Sequence, residues 1–256
     1  MATWTSQETK QRKKQSGKIQ NKKTVAVKDD VKTESRDWEI PRKLLHMSNG
    51  LICFLLYELR VPVSQVVYGL ILYLCIAFGA DIIRFLFPSF NRLYIKVVGF
   101  LMRKEEETQV NGVVYFLVGG IIALYFFPRD IALVSIIILS WCDPAASIFG
   151  RLWGRYTYRF SNGKSVAGFC GSWLVGSMVT YFFWGYCVHK NEDFSWQTGA
   201  AIPLWALSII GGSLGAVTEL VDIQGIDDNF RIPVLVSLGF WIVLVVFGLG
   251  MAPVTL

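Results

Sequence analysis

The chain has 256 residues and a mass of 28.9 kDa; 53% of its residues are apolar, 17% are charged, and the mean hydropathy is +0.44. A soluble domain carries about 25% charged residues, so the composition excludes a disordered chain, argues against a small soluble enzyme, and fits a polytopic α-helical membrane protein. The net charge of +6 sits at one end: residues 1–43 hold 12 of the 25 Lys/Arg and 6 of the 19 Asp/Glu, and the remainder is neutral.

Residues 1–37 are rich in Lys, Gln, Ser and Thr and poor in apolar side chains. They read as a disordered, basic cytosolic tail ahead of a membrane-embedded domain over 38–256. The tail supplies topology charge or also touches anionic lipid. Nucleic-acid binding is argued against, because Trp4 is the one aromatic before Trp38 and no folded reader accompanies it. Apolar runs follow at 44–59, 65–83, 112–127, 131–148, 166–188, 200–217 and 233–250. They predict an all-α bundle of about seven transmembrane helices. Runs 112–127 and 200–217 are short or Gly-rich, and a distorted or re-entrant form stays open for both. Segment 91–104 is mixed and reads as an amphipathic interfacial helix. The long polar stretch before residue 44 is unlike a cleavable signal peptide.

Seven spans place the termini on opposite sides, and the positive-inside rule decides which is which. With the tail in the cytosol, that side collects 22 Lys/Arg, and the other keeps only Arg60, Arg129 and Lys190. Cys53, Cys75, Cys142, Cys170 and Cys187 all fall in apolar runs without a CxxC pair, so they read as buried thiols.

The polar clusters gather on the cytosolic side. They are Trp38 to Lys43, Lys104 to Thr108 with Asn111, Trp141 to Ser147, Gly150-Arg151 with Gly154-Arg155, Asn162 to Ser165, and Glu219 to Asn229. A one-sided site follows; a transport path would need polar residues at several depths. Asp143 is the most informative residue, because it interrupts an apolar run beside Pro144. An Asp at mid-bilayer costs roughly 2.5–3.5 kcal/mol, so it needs a polar cavity and a cationic partner. It reads as a metal ligand or as a structural carboxylate paired with Arg. Glu219 and Asp222 are spaced to share a helical face and are further candidate metal ligands. Oxygen donors with only two histidines, His46 and His189, suit Mg²⁺ or Ca²⁺ better than zinc.

Arg42 and Lys43 are positive-inside anchors or phosphate contacts, and Pro41 opens a helix whose free N–H groups would favour the second. Asn162-Gly163-Lys164-Ser165 resembles the end of a Walker A loop, but Tyr158 stands where that motif needs Gly. What survives is a Gly turn, a Lys and a hydroxyl at a helix start, which suits phosphate or a plain N-cap. Gly150, beside Arg151, reads as a close backbone approach to phosphate, against the alternative of tight helix packing. Glu105, Glu106 and Glu107 read as a solvated run. Asp227 and Asp228 with Asn229 form a turn or contribute to the site.

The segments W-E-I-P-R-K-L-L-H, K-E-E-E-T-x-x-N-G-V-x-Y-F-L, W-C-D-P-A-A-S-x-x-G-R-x-x-G-R, N-G-K-S-x-A-G and E-x-x-D-I-x-G-I-D-D-N-F resemble the fungal CTP-dependent diacylglycerol kinases, in order, over about 38–235. The wider group includes dolichol and phytol kinases and the CTP-transferase domain of CDP-diacylglycerol synthase. The resemblance implies transfer of the γ-phosphoryl of CTP to diacylglycerol, giving phosphatidate, with a divalent cation. It also implies the endoplasmic reticulum and nuclear membranes. Carried over by position, it makes Arg42, Lys43, Asp143 and Gly150 essential. Arg151, Asn162, Gly163, Lys164 and Ser165 are the expected phosphate contacts, and Asn111, Asp227 and Asp228 further candidates. The partners expected are CTP, diacylglycerol and membrane lipid. The rival readings are a dolichol or phytol kinase, a cytidylyltransferase and, in a different class, a secondary transporter using Asp143 and Asp81.

Overall fold

The computed structural model describes residues 39–187, 194–223 and 225–251. The expected disordered tail lies outside these residues. The chain divides into Met1–Arg42 and Lys43–Leu256. Within the first unit the described feature is an ion pair between Arg42 Nη2 and Glu39 Oε2 at 2.7 Å.

The described residues form helices and no named strand; one isolated bridge joins Arg159 and Ser165. In chain order the helices are α1 (Ile40–Glu58), α2 (Val63–Leu86), α3 (Pro88–Val98), α4 (Gly112–Phe126), α5 (Arg129–Trp153), α6 (Val166–Phe182), α7 (Leu204–Leu220) and α8 (Asp228–Trp241). Among the described residues four helical segments are long and apolar enough to cross a membrane: Val63–Leu86, Arg129–Tyr156, Val166–Cys187 and Asp228–Val246. Helices α4 and α7 are apolar but shorter, at 15 and 17 residues. The all-helical membrane architecture therefore agrees with the composition.

Proline and short polar residues set many of the helix starts. Pro62, Pro128 and Pro203 precede α2, α5 and α7, while Pro88 opens α3 at its first turn. Asn111, Ser165 and Asp227 cap α4, α6 and α8 through side-chain oxygens that accept from Val113 N, Gly168 N and Asn229 N. The amphipathic helix expected at 91–104 occupies Pro88–Val98, because Pro88 supplies a start signal and the helix stops at the Gly99 cap.

Helix α5 is the axis of the bundle. It is buried from Asp130 to Ser140 and packs against α6, α8, α7 and α4. Its core neighbours include Leu207, Val179, Val236 and Phe240, and the buried Trp184 meets Phe240 edge-on at 5.0 Å. Pro144 does not break α5, which continues to Trp153. Proline has no N–H, so it leaves the Ser140 carbonyl without its usual helical donor one turn before Asp143.

Helix α2 is the opposite case. Only 6% of its apolar window is buried inside the protein, and Tyr68, Leu72 and Ile76 face outward. A transmembrane helix presents such a surface to acyl chains. The five cysteines are free, but Cys75 and Cys170 are exposed and not buried as expected, because each falls on the outward stripe of its helix.

The seam between α6 and α7 depends on small residues. A Cβ on Gly212 would overlap the Trp173 carbonyl and the Ser177 hydroxyl, and one on Gly176 would lie 3.1 Å from Gly212 Cα. Gly212→Ala should destabilise the protein by about 1–3 kcal/mol through overpacking. Gly69→Ala, where nothing lies within 4 Å of the added carbon, should be neutral or slightly stabilising because alanine favours helix. Melting temperatures in detergent check both outcomes.

Candidate functional site

The turn between α5 and α6 carries the first part of the site. Phe160 N donates to Lys164 O at 2.8 Å, Gly163 N donates to Phe160 O at 2.9 Å, and Val166 N donates to Tyr158 O at 3.0 Å. The hairpin needs Gly163 at φ +80°, a left-handed backbone that favours glycine. Asn162 Oδ1 accepts from Lys164 N at 3.1 Å, an Asx turn, and its Nδ2 donates to the Leu220 carbonyl at 2.7 Å. Asn162 therefore joins this turn to the end of α7.

Lys164 sits at the centre. Its Nζ lies 3.1 Å from Glu219 Oε1 and 3.9 Å from Asp228 Oδ2, and it also donates to the Glu219 carbonyl. Glu219 lies in the last turn of α7, and Asp228 opens α8. One ammonium thus meets carboxylates from two helices. Glu219 Oε2 is buried and unpartnered. Asp143 on α5 is half-buried and within electrostatic reach of both Glu219 and Asp228. Arg231, 2% exposed, bonds Asp228 Oδ1 and donates to the Thr218 carbonyl at 3.3 Å.

The other expected residues fall around this cluster in different ways. Lys43 is buried in α1, one turn from Met47, whose carbonyl accepts from Trp141 Nε1 at 3.1 Å. This contact brings the Lys43 end of α1 toward the Asp143 end of α5. Ser165 caps α6, and Gly150 and Gly154 pack on it; a Cβ on Gly150 would lie 3.3 Å from Ser165 Oγ. Close packing on Ser165 and Gly168 is thus one role of Gly150. Arg151 is exposed in the last turn of α5. Asp222 is exposed and lies beyond α7, which ends at Leu220, so the expected one-turn spacing from Glu219 does not place it on the same helical face. The Glu105–Glu107 run forms a short 3₁₀ turn, in which Glu106 is buried and not solvated as expected. Asp227 caps α8 and lies 4.0 Å from Arg103 Nη1.

Sequence reasoning gave Arg103, Glu106 and Arg231 no site role, took Asn229 only with the Asp227–Asp228 turn, and named Asp81 only as a carrier in the transporter reading; it did not recognise the Asp81–Arg84 pair, whose Oδ1···Nε distance is 2.6 Å with both side chains buried. The pair had a readable signal: opposite charges three residues apart in an otherwise apolar run, on one helical face. Helix α3 supplies Tyr94 beside it. Burial and then the Asp81 charge push its phenol up, which keeps it neutral, and its oxygen accepts from Asn111 Nδ2 at 3.3 Å.

The donor set bears on a metal. Among the described residues no three His, Cys, Asp or Glu side chains form an all-protein cage. A magnesium-like ion carried by a triphosphate needs only one or two carboxylates, the rest of its shell being phosphate and water. Asp143 and the unpartnered Glu219 Oε2 fit that requirement.

An all-helical membrane protein with a lysine–carboxylate cluster at one end of its bundle is the class that fold and site define. No family model matches the chain, and no solved structure matches it. The chain is 40% identical to CTP-dependent diacylglycerol kinase 1 of Schizosaccharomyces pombe over 201 residues, covering 78% of this chain and 91% of that protein. Proteins with the same name from Eremothecium gossypii and Saccharomyces cerevisiae are 39% and 37% identical, over 80% and 82% of this chain and 70% and 77% of theirs. The chain belongs to the CTP-dependent diacylglycerol kinase family.

The turn gives a direct test of local geometry. Gly163→Ala should destabilise by about 1–2 kcal/mol, the cost of a left-handed backbone for a residue with a Cβ, and Gly163→Asn should cost less. Comparing the melting temperatures of the two variants with wild type checks this order.

Proposed function

We propose that the chain phosphorylates diacylglycerol with CTP at the cytosolic headgroup layer, using the pocket where Asp143, Lys164, Glu219 and Asp228 converge. The observation that carries the reading is the Lys164 ammonium held between Glu219 and Asp228, within reach of Asp143, in a chain of this family.

The reaction forms a bond between the free lipid hydroxyl oxygen and the γ-phosphorus. The bond from that phosphorus to the β–γ bridging oxygen breaks, CDP leaves, and the hydroxyl loses its proton. Charge on the transferred group must be neutralised, and donor and acceptor must be held in line. In this reading Lys164 contacts phosphate oxygens, and the 158–166 turn that holds its backbone supports the assignment. Asn162 and Gly163 set that turn, and Ser165, which caps α6 by accepting from Gly168 N, stands next to Lys164 in the chain at the helix start. Arg231 keeps Asp228 oriented toward Lys164. When bound, Mg²⁺ or Ca²⁺ supplies positive charge on the triphosphate, and Asp143 and Glu219 are the residues that would hold it, with Asp222 a more distant candidate. Arg42 and Lys43 are proposed phosphate contacts on the strength of the resemblance, Arg151 a proposed phosphate contact from its place beside Gly150, and Gly150 a close backbone approach. Asn111 and Asp227 act through the helix starts they cap.

The seven-span topology is part of the same reading. It joins the four long apolar segments with α1, α4 and α7 and puts the tail (1–37) in the cytosol, ahead of the membrane domain (38–256). The 22-to-3 split of Lys/Arg supports that orientation. The endoplasmic reticulum and nuclear membranes are the proposed location.

Purified enzyme in mixed micelles tests the chemistry. With labelled CTP, γ-label should enter the lipid and α-label should not; the reverse would define a cytidylyltransferase. Asp143→Asn and Lys164→Ala should each lower kcat/KM at least about 100-fold, the scale of one lost charge-stabilising group, with Lys164→Arg retaining part of the activity. Normal turnover by a well-folded Asp143→Asn enzyme would sink the assignment.

A further inference from the structure

The geometry points to Asp81 and Arg84 as a positioning pair that sets the nucleotide end of the site, an inference that rests on the CTP-dependent kinase reading above. The pair lies in the last turns of α2, away from the Lys164 cluster, yet all its polar atoms are committed. Arg84 Nε donates to Asp81 Oδ1 at 2.6 Å, Nη1 donates to the Glu107 carbonyl at 3.2 Å, and Nη2 donates to the Gln109 carbonyl. Asp81 Oδ2 accepts from Asn111 N at 2.7 Å. Three of these bonds bring the segment that precedes α4 onto the end of α2, and the fourth holds the pair together.

Two routes lead from this clamp to Asp228. In the first, Asn111 caps α4 through Val113 N at 3.0 Å, and the Gly112 carbonyl accepts from Asn229 Nδ2 at 3.3 Å. Asn229 follows Asp228 directly in α8. In the second, Glu106 in the clamped segment accepts from Arg103 N through Oε2 at 3.3 Å, and the Arg103 guanidinium lies 4.0 Å from Asp227, the cap of α8. Both routes end at the first turn of α8. That turn carries the Asp228 carboxylate, which stands 3.9 Å from Lys164. Close-packed interiors transmit small displacements, and a misplacement of about 1 Å costs a reacting site about 100-fold. A pair needed for folding alone would require only mutual neutralisation; this one also places three backbone groups, at Glu107, Gln109 and Asn111, of the segment leading to the site.

The test uses the full chain in lipid–detergent micelles. Arg84→Lys keeps the ion pair but loses the fork that reaches two carbonyls. Asp81→Leu combined with Arg84→Met removes both charges together and leaves no unpaired buried charge, while it frees the Asn111 N–H and the Glu107 and Gln109 carbonyls that the pair holds. Both variants should raise the KM for CTP about fivefold or more, while the KM for diacylglycerol stays within about twofold. Size-exclusion profiles and melting temperatures report the folded fraction. A purely structural role would lower that fraction and leave both KM values of the folded enzyme unchanged, which overturns the inference. Should the double variant fail to fold, Arg84→Lys decides alone. A wild-type chain that transfers no phosphate from CTP would overturn the kinase reading and this inference together; an active wild type with unmoved KM values in the variants overturns this inference only.

Discussion

The structure depends on one electrostatic constraint. Carboxylates from α7 and α8, with a third on α5, converge at the end of an apolar bundle, and buried like charges repel strongly in a low dielectric. Lys164 is the cation that joins two of them. The hairpin turn around Gly163 delivers it, and Asn162 ties that turn to the end of α7. The arrangement of helix ends, caps and turns at this end of the protein holds one ammonium between two carboxylates. The same arrangement suits a polyanionic substrate, because its oxygens can take over the contacts that the carboxylates make.

The fold explains why the cluster forms where it does. Helix α5 brings Asp143 to the site through a proline that leaves the helix continuous and frees a carbonyl one turn earlier. Glycines let α6 and α7 approach closely, so Lys164 before α6 and Glu219 at the end of α7 meet. At the far end of α5, Asp130 accepts from Trp184 Nε1 at 3.0 Å and from Ser195 N and Oγ at 2.7 and 2.9 Å. That carboxylate is fully satisfied and fastens a loop. Glu219 keeps an oxygen free. The two ends of the bundle thus treat a buried acid in opposite ways.

Much of this was legible in the residues. Hydropathy gives the helical membrane class, and interruptions such as Asp143 and the Asn162–Ser165 turn stand out because polar groups in apolar surroundings need a reason. The joining of Lys164 to both Glu219 and Asp228 was not legible, since it depends on how three helices cross. Asp222 shows the limit from the other direction. Its spacing from Glu219 suits a helix, but the helix ends first, at Leu220. For Gly150, packing and phosphate approach are both readable in the residues, and the contact with Ser165 is what the fold adds. Asp81 and Arg84 sit three apart in plain view, yet their partners are the backbone carbonyls of a distant segment, which no side-chain pattern records.

Helix α2 has 24 residues, and at 1.5 Å per residue it is about 36 Å long. A hydrocarbon layer of about 30 Å accommodates such a helix by tilting it. One end of α2 is fastened by Arg84 and Asp81 to the segment that starts α4. Any change in tilt therefore pulls on that segment. The length of α2 and its fastening at one end thus couple the tilt of this helix to the segment that starts α4.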